Sequence, residues 1–403
     1  MPQYNSCCLL NTKRWYFCAT IMAPYLLRSF ICAIGLLSFS SASAQEKPES
    51  GFGIETNILA GKVVKHTVKF TAPIPALSMA FDANFVWKTN GTRSWHKWRK
   101  YPQIGIGMTF TDYGNADVLG YCMAVYPNIQ IPIIQGEKLE FTARIGDGVG
   151  YVTKKFQRTS PVDTLNNAIG SHINDFAIFL LDLRYHFNKH WHIQAGLNLT
   201  HISNAGTAQP NLGVNMVGGH FGTTYYPGSY RPVCLPGEDC KLKRRWLLQG
   251  RMDIAYKQAR SANAPFLPSY MPSAYISKRY NGKNKVYLGG DYAFHNDVLA
   301  FMRYYDVDNW PGDHGRQRRE SWDGTIFAGH EFIVGRLGIV TQLGFYYHQT
   351  YLKYDIYNEK IGGHLYLIQR EKGPIKELFV SALLLAHGFA AERAEFGLGF
   401  GLL

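Results

Sequence analysis

The chain has 403 residues, of which 46% are hydrophobic and only 18% charged, with 40 Gly, 26 Tyr and 24 Phe and a formal net charge of +13. Few charges with many aromatics and glycines exclude a disordered or highly solvated chain and suit a sheet that meets lipid on one side. A soluble all-β protein is the alternative that composition leaves open.

The first element is a targeting segment. Phe30–Phe39 forms an apolar run with Arg28 before it and Ala42, Ser43 and Ala44 after it, the pattern of a secretory signal with its cleavage site. Residues 1–44 are therefore expected to be removed, and Met22 is an alternative start that leaves an ordinary basic n-region. The removed segment carries Lys13, Arg14 and Arg28 and no acid, so the mature chain stays basic. No later stretch reaches the ~20 apolar residues of a spanning helix. A mature chain that crosses a membrane then does so with strands, because only a closed barrel satisfies every backbone group there. Cys122, Cys234 and Cys240 remain after cleavage. Cys234 and Cys240 bracket a Pro-Gly turn and are expected to form a disulfide in an oxidising compartment, with Cys122 unpaired in a strand.

From residue 77 onward a period of two dominates. Leu77, Met79, Phe81, Phe85 and Trp87 alternate with Ser78, Ala80, Asp82 and Asn84. The same alternation runs through 104–110, 119–125 and 139–145, and each is a strand with one apolar and one small or polar face. Tight turns at Asn188-Lys189 and Gly335-Arg336 join 176–187 to 190–203 and 325–334 to 337–348. The polar segments 157–173, 207–245, 258–284 and 307–323 are expected to be long extracellular loops. The last strand alternates Phe396, Leu398, Phe400 and Leu402 with glycines. The pattern predicts an all-β fold: a single antiparallel transmembrane barrel over 45–403, with about 14 strands and a range of roughly 12 to 16.

The strand Trp191–Thr200 carries its apolar residues at odd positions. Continuing that parity puts His201 and Ser203 on the lipid-facing side, roughly 7 Å apart along the strand. Polar groups facing lipid are costly without a purpose. An imidazole beside a hydroxyl forms a base–nucleophile pair for attack on an ester. An aqueous rim, with 204–211 as an ordinary turn, is the bland alternative.

His201, Ile202, Ser203, Asn204, Ala205 and Gly206, followed by Pro210, Asn211, Leu212 and Gly213, resemble the signature of the lipid A 3-O-deacylase (acyloxyacyl hydrolase-like) family. Weaker echoes occur at Arg144–Lys154, at 386–388 and at 395–399. The resemblance implies an outer-membrane barrel that removes an ester-linked 3-hydroxyacyl chain from lipid A, with no cofactor. It implies His201 as base, Ser203 as nucleophile, and Asn204 and the Gly206 amide as oxyanion donors. Two departures stand out. The family's enzymes are eight-stranded, and this chain is longer. The acid that orients the histidine falls at Asn215, and the hairpin offers no Asp or Glu in its place.

Lys241, Lys243, Arg244 and Arg245, with Arg316, Arg318 and Arg319, are expected contacts for lipid A phosphates. Residues 95–100 mix Trp, His, Lys and Arg as membrane interfaces do. Lipopolysaccharide and outer-membrane lipids are the expected partners, and nucleic acid is not. A non-catalytic barrel, a pore or a lipopolysaccharide-binding protein, is the other reading of the same fold.

Overall fold

The computed structural model describes residues 51–65, 67–228, 246–259, 264–305, 314–353, 355–388 and 390–402. The expected signal segment 1–44 lies outside these residues, as do Cys234, Cys240, Lys241, Lys243, Arg244 and Arg245.

Eight strands form the first half: β1 (Phe52–Val64), β2 (Ser78–Lys88), β3 (Gln103–Asp112), β4 (Tyr121–Gln135), β5 (Leu139–Val152), β6 (Ile173–His186), β7 (Trp191–Ser203) and β8 (Val214–Tyr225). Eight more follow: β9 (Trp246–Gln258), β10 (Phe266–Asn281), β11 (Asn284–His295), β12 (Trp322–Val334), β13 (Leu337–His348), β14 (Tyr357–Gln369), β15 (Ile375–His387) and β16 (Ala390–Leu402). All neighbours are antiparallel. β1 pairs with both β2 and β8, closing one barrel, and β9 pairs with both β10 and β16, closing a second.

The alternation read from the sequence is the inside–outside pattern of these walls. On β2, Met79, Phe81, Phe85 and Trp87 face outward, whereas Ala80, Asp82, Asn84 and Val86 are buried inward. Outward rows of this kind recur on strands of both barrels, as at Leu197 and Leu199, or Phe396 and Leu398. No helix among the described residues is long and apolar enough to cross a membrane. The outward apolar rows are the surface that strands crossing a membrane present to lipid.

Eight strands leave a lumen just wide enough for side chains to fill. In the first barrel Arg144 bridges Glu55 and Asp82 at 2.6 Å each, Arg184 reaches Glu55 at 3.1 Å, and His220 meets Asp182 at 2.8 Å. Toward the end holding the 204–213 connection, apolar side chains take over, among them Leu59, Phe176, Ile178, Ile202 and Met216. In the second barrel Lys285 pairs with Glu377 at 2.7 Å, and Lys360 pairs with Asp291 and Glu395 at 2.8 Å each. Removing one partner of such a pair strands a buried charge, so the networks fix the packing of each lumen.

Two expectations change. The strands were expected to close once; they close twice. Alternation reports which face a residue takes but not where the hydrogen-bonded sheet meets itself, and the extra length of the chain is a second barrel. The segments 207–245 and 258–284, expected as loops, contain β8 and β10. Many of their inward residues are polar, such as His220, Thr224, Ser269, Ser273 and Arg279, and their outward rows are interrupted by small residues and proline, so composition reads as loop. Residues 95–100, which mix aromatic and basic residues, dock on the second barrel. Within them the short helix Ser94–Trp98 is followed by Arg99, whose guanidinium donates to the carbonyls of Lys283 and Ile333 at 3.0 and 3.1 Å. Trp95 lies against Gly335 and Trp98 against Gly282, both at short turns of the second barrel.

Candidate active site

The site grows from the β7–β8 hairpin. Along β7 the odd positions face out, and the parity holds to the strand's end. Leu197 is 65% and Leu199 41% exposed, but Ser203 is only 3% exposed and His201 is half-buried. Ile202, between them, points into the lumen cluster. The outer face is therefore open to lipid along most of β7 and covered at its last turn.

β8 brings Asn215 into register with His201. The imidazole Nδ1 lies 2.7 Å from Asn215 Oδ1. With the amide oxygen accepting, Nδ1 carries the proton and Nε2 keeps a lone pair, the tautomer a general base requires. A Cβ built on Gly213 would stand 2.8 Å from His201 Cε1 and 3.2 Å from Ser203 Cβ, so imidazole and serine flank one point where only glycine fits. Gly213 also has φ +69°, which favours glycine independently.

The connection 204–213 is a tightly bonded loop. Asn204 Nδ2 donates to the Ala208 carbonyl at 3.0 Å, the Ala208 N–H donates to Asn204 Oδ1 at 3.2 Å, and the Asn204 N–H donates to Asn211 Oδ1 at 2.8 Å. Asn204 thus builds the turn, and one Nδ2 hydrogen is left for another acceptor. The Ala205 N–H points at Ser203 Oγ, at 3.4 Å, and Ala205 and Gly206 are both left-handed, at φ +52° and +73°. The N–H groups of Leu212 and Gly213 both donate to the Ala168 carbonyl, tying the loop to the β5–β6 connection.

The second barrel also grips this loop. The Gln258 N–H donates to the Thr207 carbonyl at 2.9 Å, and the Gln209 N–H donates to Gln258 Oε1 at 2.8 Å. Gly206 packs on the Glu392 backbone so closely that any Cβ there would run into the Glu392 carbonyl. Behind this contact the Lys257 ammonium meets Glu392 at 3.0 Å.

The structure therefore brings together His201, Ser203, Asn204, Gly206 and Asn215. Arg316, Arg318 and Arg319 lie on the short helix His314–Arg319 in the β11–β12 connection, where Arg318 stacks its guanidinium 5.5 Å from the Phe294 ring. Sequence reasoning missed two carboxylates. Asp175 on β6 is in register with Ser203, and Asp147 on β5 is in register with Ala177, the partner of His201. Counting back equally from the turn at Asn188-Lys189 pairs Ser203 with Asn174; the hairpin is instead centred on Lys189, and that one-residue difference brings Asp175 opposite Ser203. The contribution of the second barrel had no local signal.

Two family models match the chain: Lipid A 3-O-deacylase (PagL) over residues 79–224, and Acyloxyacyl hydrolase, C-terminal domain, over 248–402. Each match falls within one barrel. No curated protein matches the chain in sequence. Among solved structures, the outer membrane enzyme PagL is 16% identical over 42% of this chain and 97% of its own, with a TM-score of 0.28. A mutant of the Rhodopseudomonas blastica porin is 10% identical over 87% of this chain and 99% of its own, with a TM-score of 0.17. The Pseudomonas putida toluene transporter TodX is 9% identical over 87% and 88%, also at 0.17. The chain belongs to the lipid A 3-O-deacylase (acyloxyacyl hydrolase-like) family of outer-membrane β-barrel proteins.

Proposed function

We propose that the protein is an outer-membrane serine esterase that removes an ester-linked 3-hydroxyacyl chain from lipid A. The observation that carries this reading is the His201–Asn215 hydrogen bond on the outer wall, on the same face as Ser203. That wall is turned toward the membrane along most of β7, so a lipid substrate would approach it without entering a lumen.

Ser203 Oγ attacks the ester carbonyl while its proton passes to His201 Nε2. Backbone and side-chain N–H groups stabilise the negative oxygen that forms, with Gly206 and the remaining Nδ2 hydrogen of Asn204 in that role. His201 then returns the proton to the departing sugar oxygen, and the acyl group stays on Ser203. Water completes the cycle: its proton goes to His201, its oxygen to the acyl carbon, and the proton returns to Ser203 as the 3-hydroxy fatty acid leaves. Asn215 holds the imidazole tautomer throughout. The arginines at 316, 318 and 319 and the basic cluster at 241–245 serve as contacts for lipid A phosphates.

Mass spectrometry of lipid A from cells with and without the protein tests the reading: loss of one 3-hydroxyacyl chain is expected, and identical acylation with the protein folded overturns it. A second reading, a non-catalytic lipopolysaccharide-binding barrel, draws on Asn215 standing where the family has an acid. That reading expects lipid A to bind and remain intact. A pore finds less support, because buried ion pairs and aromatics fill both lumens.

A further inference from the structure

We propose that Asp175 supplies the negative charge that stabilises the His201 imidazolium, the charge that Asn215 lacks. The inference rests on the esterase reading above and concerns how this chain runs that reaction.

Asn215 fixes the tautomer of His201 but is neutral. When Ser203 gives up its proton, the imidazole becomes a cation in a wall surrounded by apolar side chains. A unit charge a few ångströms away then matters far more than it would in water. Asp175 is placed to supply it. It stands on β6 opposite Ser203, and Ala177 stands opposite His201. Odd-numbered residues face outward on both strands, so Asp175, Ser203 and His201 share the outer surface. Directly opposed side chains in an antiparallel pair have Cβ atoms about 4.5–5.5 Å apart, and diagonal neighbours about 7–8 Å. His201 is the diagonal neighbour of Asp175. The residue beside it on β6 is Ala177, which has no atoms beyond Cβ to fill the space between carboxylate and imidazole.

The rest of the neighbourhood makes this carboxylate conspicuous. Its own row on β6 continues with Phe179, Leu181 and Leu183, and Val149 is its partner on β5. Among the described residues Asp175 has no hydrogen-bond or ion-pair partner, whereas Glu55, Asp82, Asp291 and Glu395 in the lumens all have one. A carboxylate on a lipid-facing row is costly, and no local ion pair offsets that cost. Asp147 stands on the same face, one strand farther from Ser203. Asp175 acts through His201, so it is a positioning residue. Its position on a neighbouring strand explains how the site tolerates an amide at 215.

The test uses the full-length protein in lipid vesicles and follows release of 3-hydroxy fatty acid from lipid A. The variants are Asp175→Asn, Asp175→Glu, Asn215→Glu and the Asp175→Asn/Asn215→Glu double mutant, with heat-modifiable migration confirming that each barrel is folded. Asp175→Asn is expected to lower kcat on the order of tenfold with KM unchanged. Asp175→Glu recovers most of that loss. In the Asn215→Glu background the Asp175→Asn penalty shrinks, because the charge is already present at 215. An unchanged kcat in Asp175→Asn overturns the inference, and so does the same penalty in both backgrounds, which marks a structural role. Active wild type that depends on Ser203 but not on Asp175 overturns this inference alone; inactive wild type overturns the esterase reading with it.

Discussion

The Gly206→Ala substitution tests whether the second barrel sets the geometry of the site. Two observations set its cost. Gly206 is left-handed at φ +73°, where adding a Cβ costs roughly 1–2 kcal/mol. The Cβ would also run into the Glu392 carbonyl, with the Glu392 Cα at 3.1 Å behind it, and backbone in a strand cannot swing aside as a flexible side chain would. The loop must therefore retreat by about 1 Å to restore ordinary contact, and the turn from Asn204 to Ala208 moves with it. Misplacement of that size costs on the order of 100-fold in rate. The Gly206 N–H survives in alanine, so the loss cannot come from deleting an oxyanion donor. The assay is steady-state release of 3-hydroxy fatty acid in vesicles, with urea unfolding as the stability control. A kcat about 100-fold lower at unchanged KM, with both barrels folded, is expected. Wild-type kcat in Gly206→Ala refutes the claim that contact with the second barrel positions the serine loop.

Other outcomes follow from the same structure. Gln258→Ala removes the side-chain acceptor for the Gln209 N–H and lowers kcat, whereas Gln258→Glu keeps an acceptor there and restores it; kinetics of the two variants distinguish them. Arg144→Ala leaves Glu55 and Asp82 facing each other without their bridge and costs about 3–5 kcal/mol in urea unfolding, with little effect expected on the chemistry of surviving folded protein. His96 is pH-sensitive. Burial, with the Arg93 charge beside it, holds its imidazole below the ordinary value, and its Nδ1 accepts from the Gly91 N–H at 3.2 Å. The unfolded loop therefore takes up a proton first, so the stability this docking contributes is present above about pH 6.5 and is lost as pH falls toward the lower folded value. The protection factors of amides across 91–101, taken relative to the intrinsic exchange rate at each pH, should be lower at pH 5.5 than at pH 8, and equal protection at both contradicts the assignment.

Much of this protein is legible in its sequence because a membrane wall is a strict constraint. Lipid on one face and a packed lumen on the other force the period of two, and that period places Met79, Phe81, Leu197 and Leu199 outside and Asp82 and Arg144 inside. The same parity carried past Leu199 gave His201 and Ser203 their outward face. What stayed hidden is non-local. Closure depends on β1 meeting β8, which no spacing within either strand reveals. β8 and β10 were obscured because a lumen lined with ion pairs asks for polar residues that composition alone assigns to loops. Asn215 was visible, but Asp175 comes to lie opposite Ser203 only through the register of the β6–β7 hairpin. Gly206 was legible as part of a motif, and its physical reason, the Glu392 backbone, comes from residues far along the chain.

The most direct test of the central claim compares wild type and Ser203→Ala in the same outer membrane, with folded barrel confirmed for each. Mass spectrometry should show lipid A lacking one ester-linked 3-hydroxyacyl chain when the wild type is present, and fully acylated lipid A with Ser203→Ala. Deacylation that persists in Ser203→Ala, or lipid A left intact by folded wild type, contradicts the account.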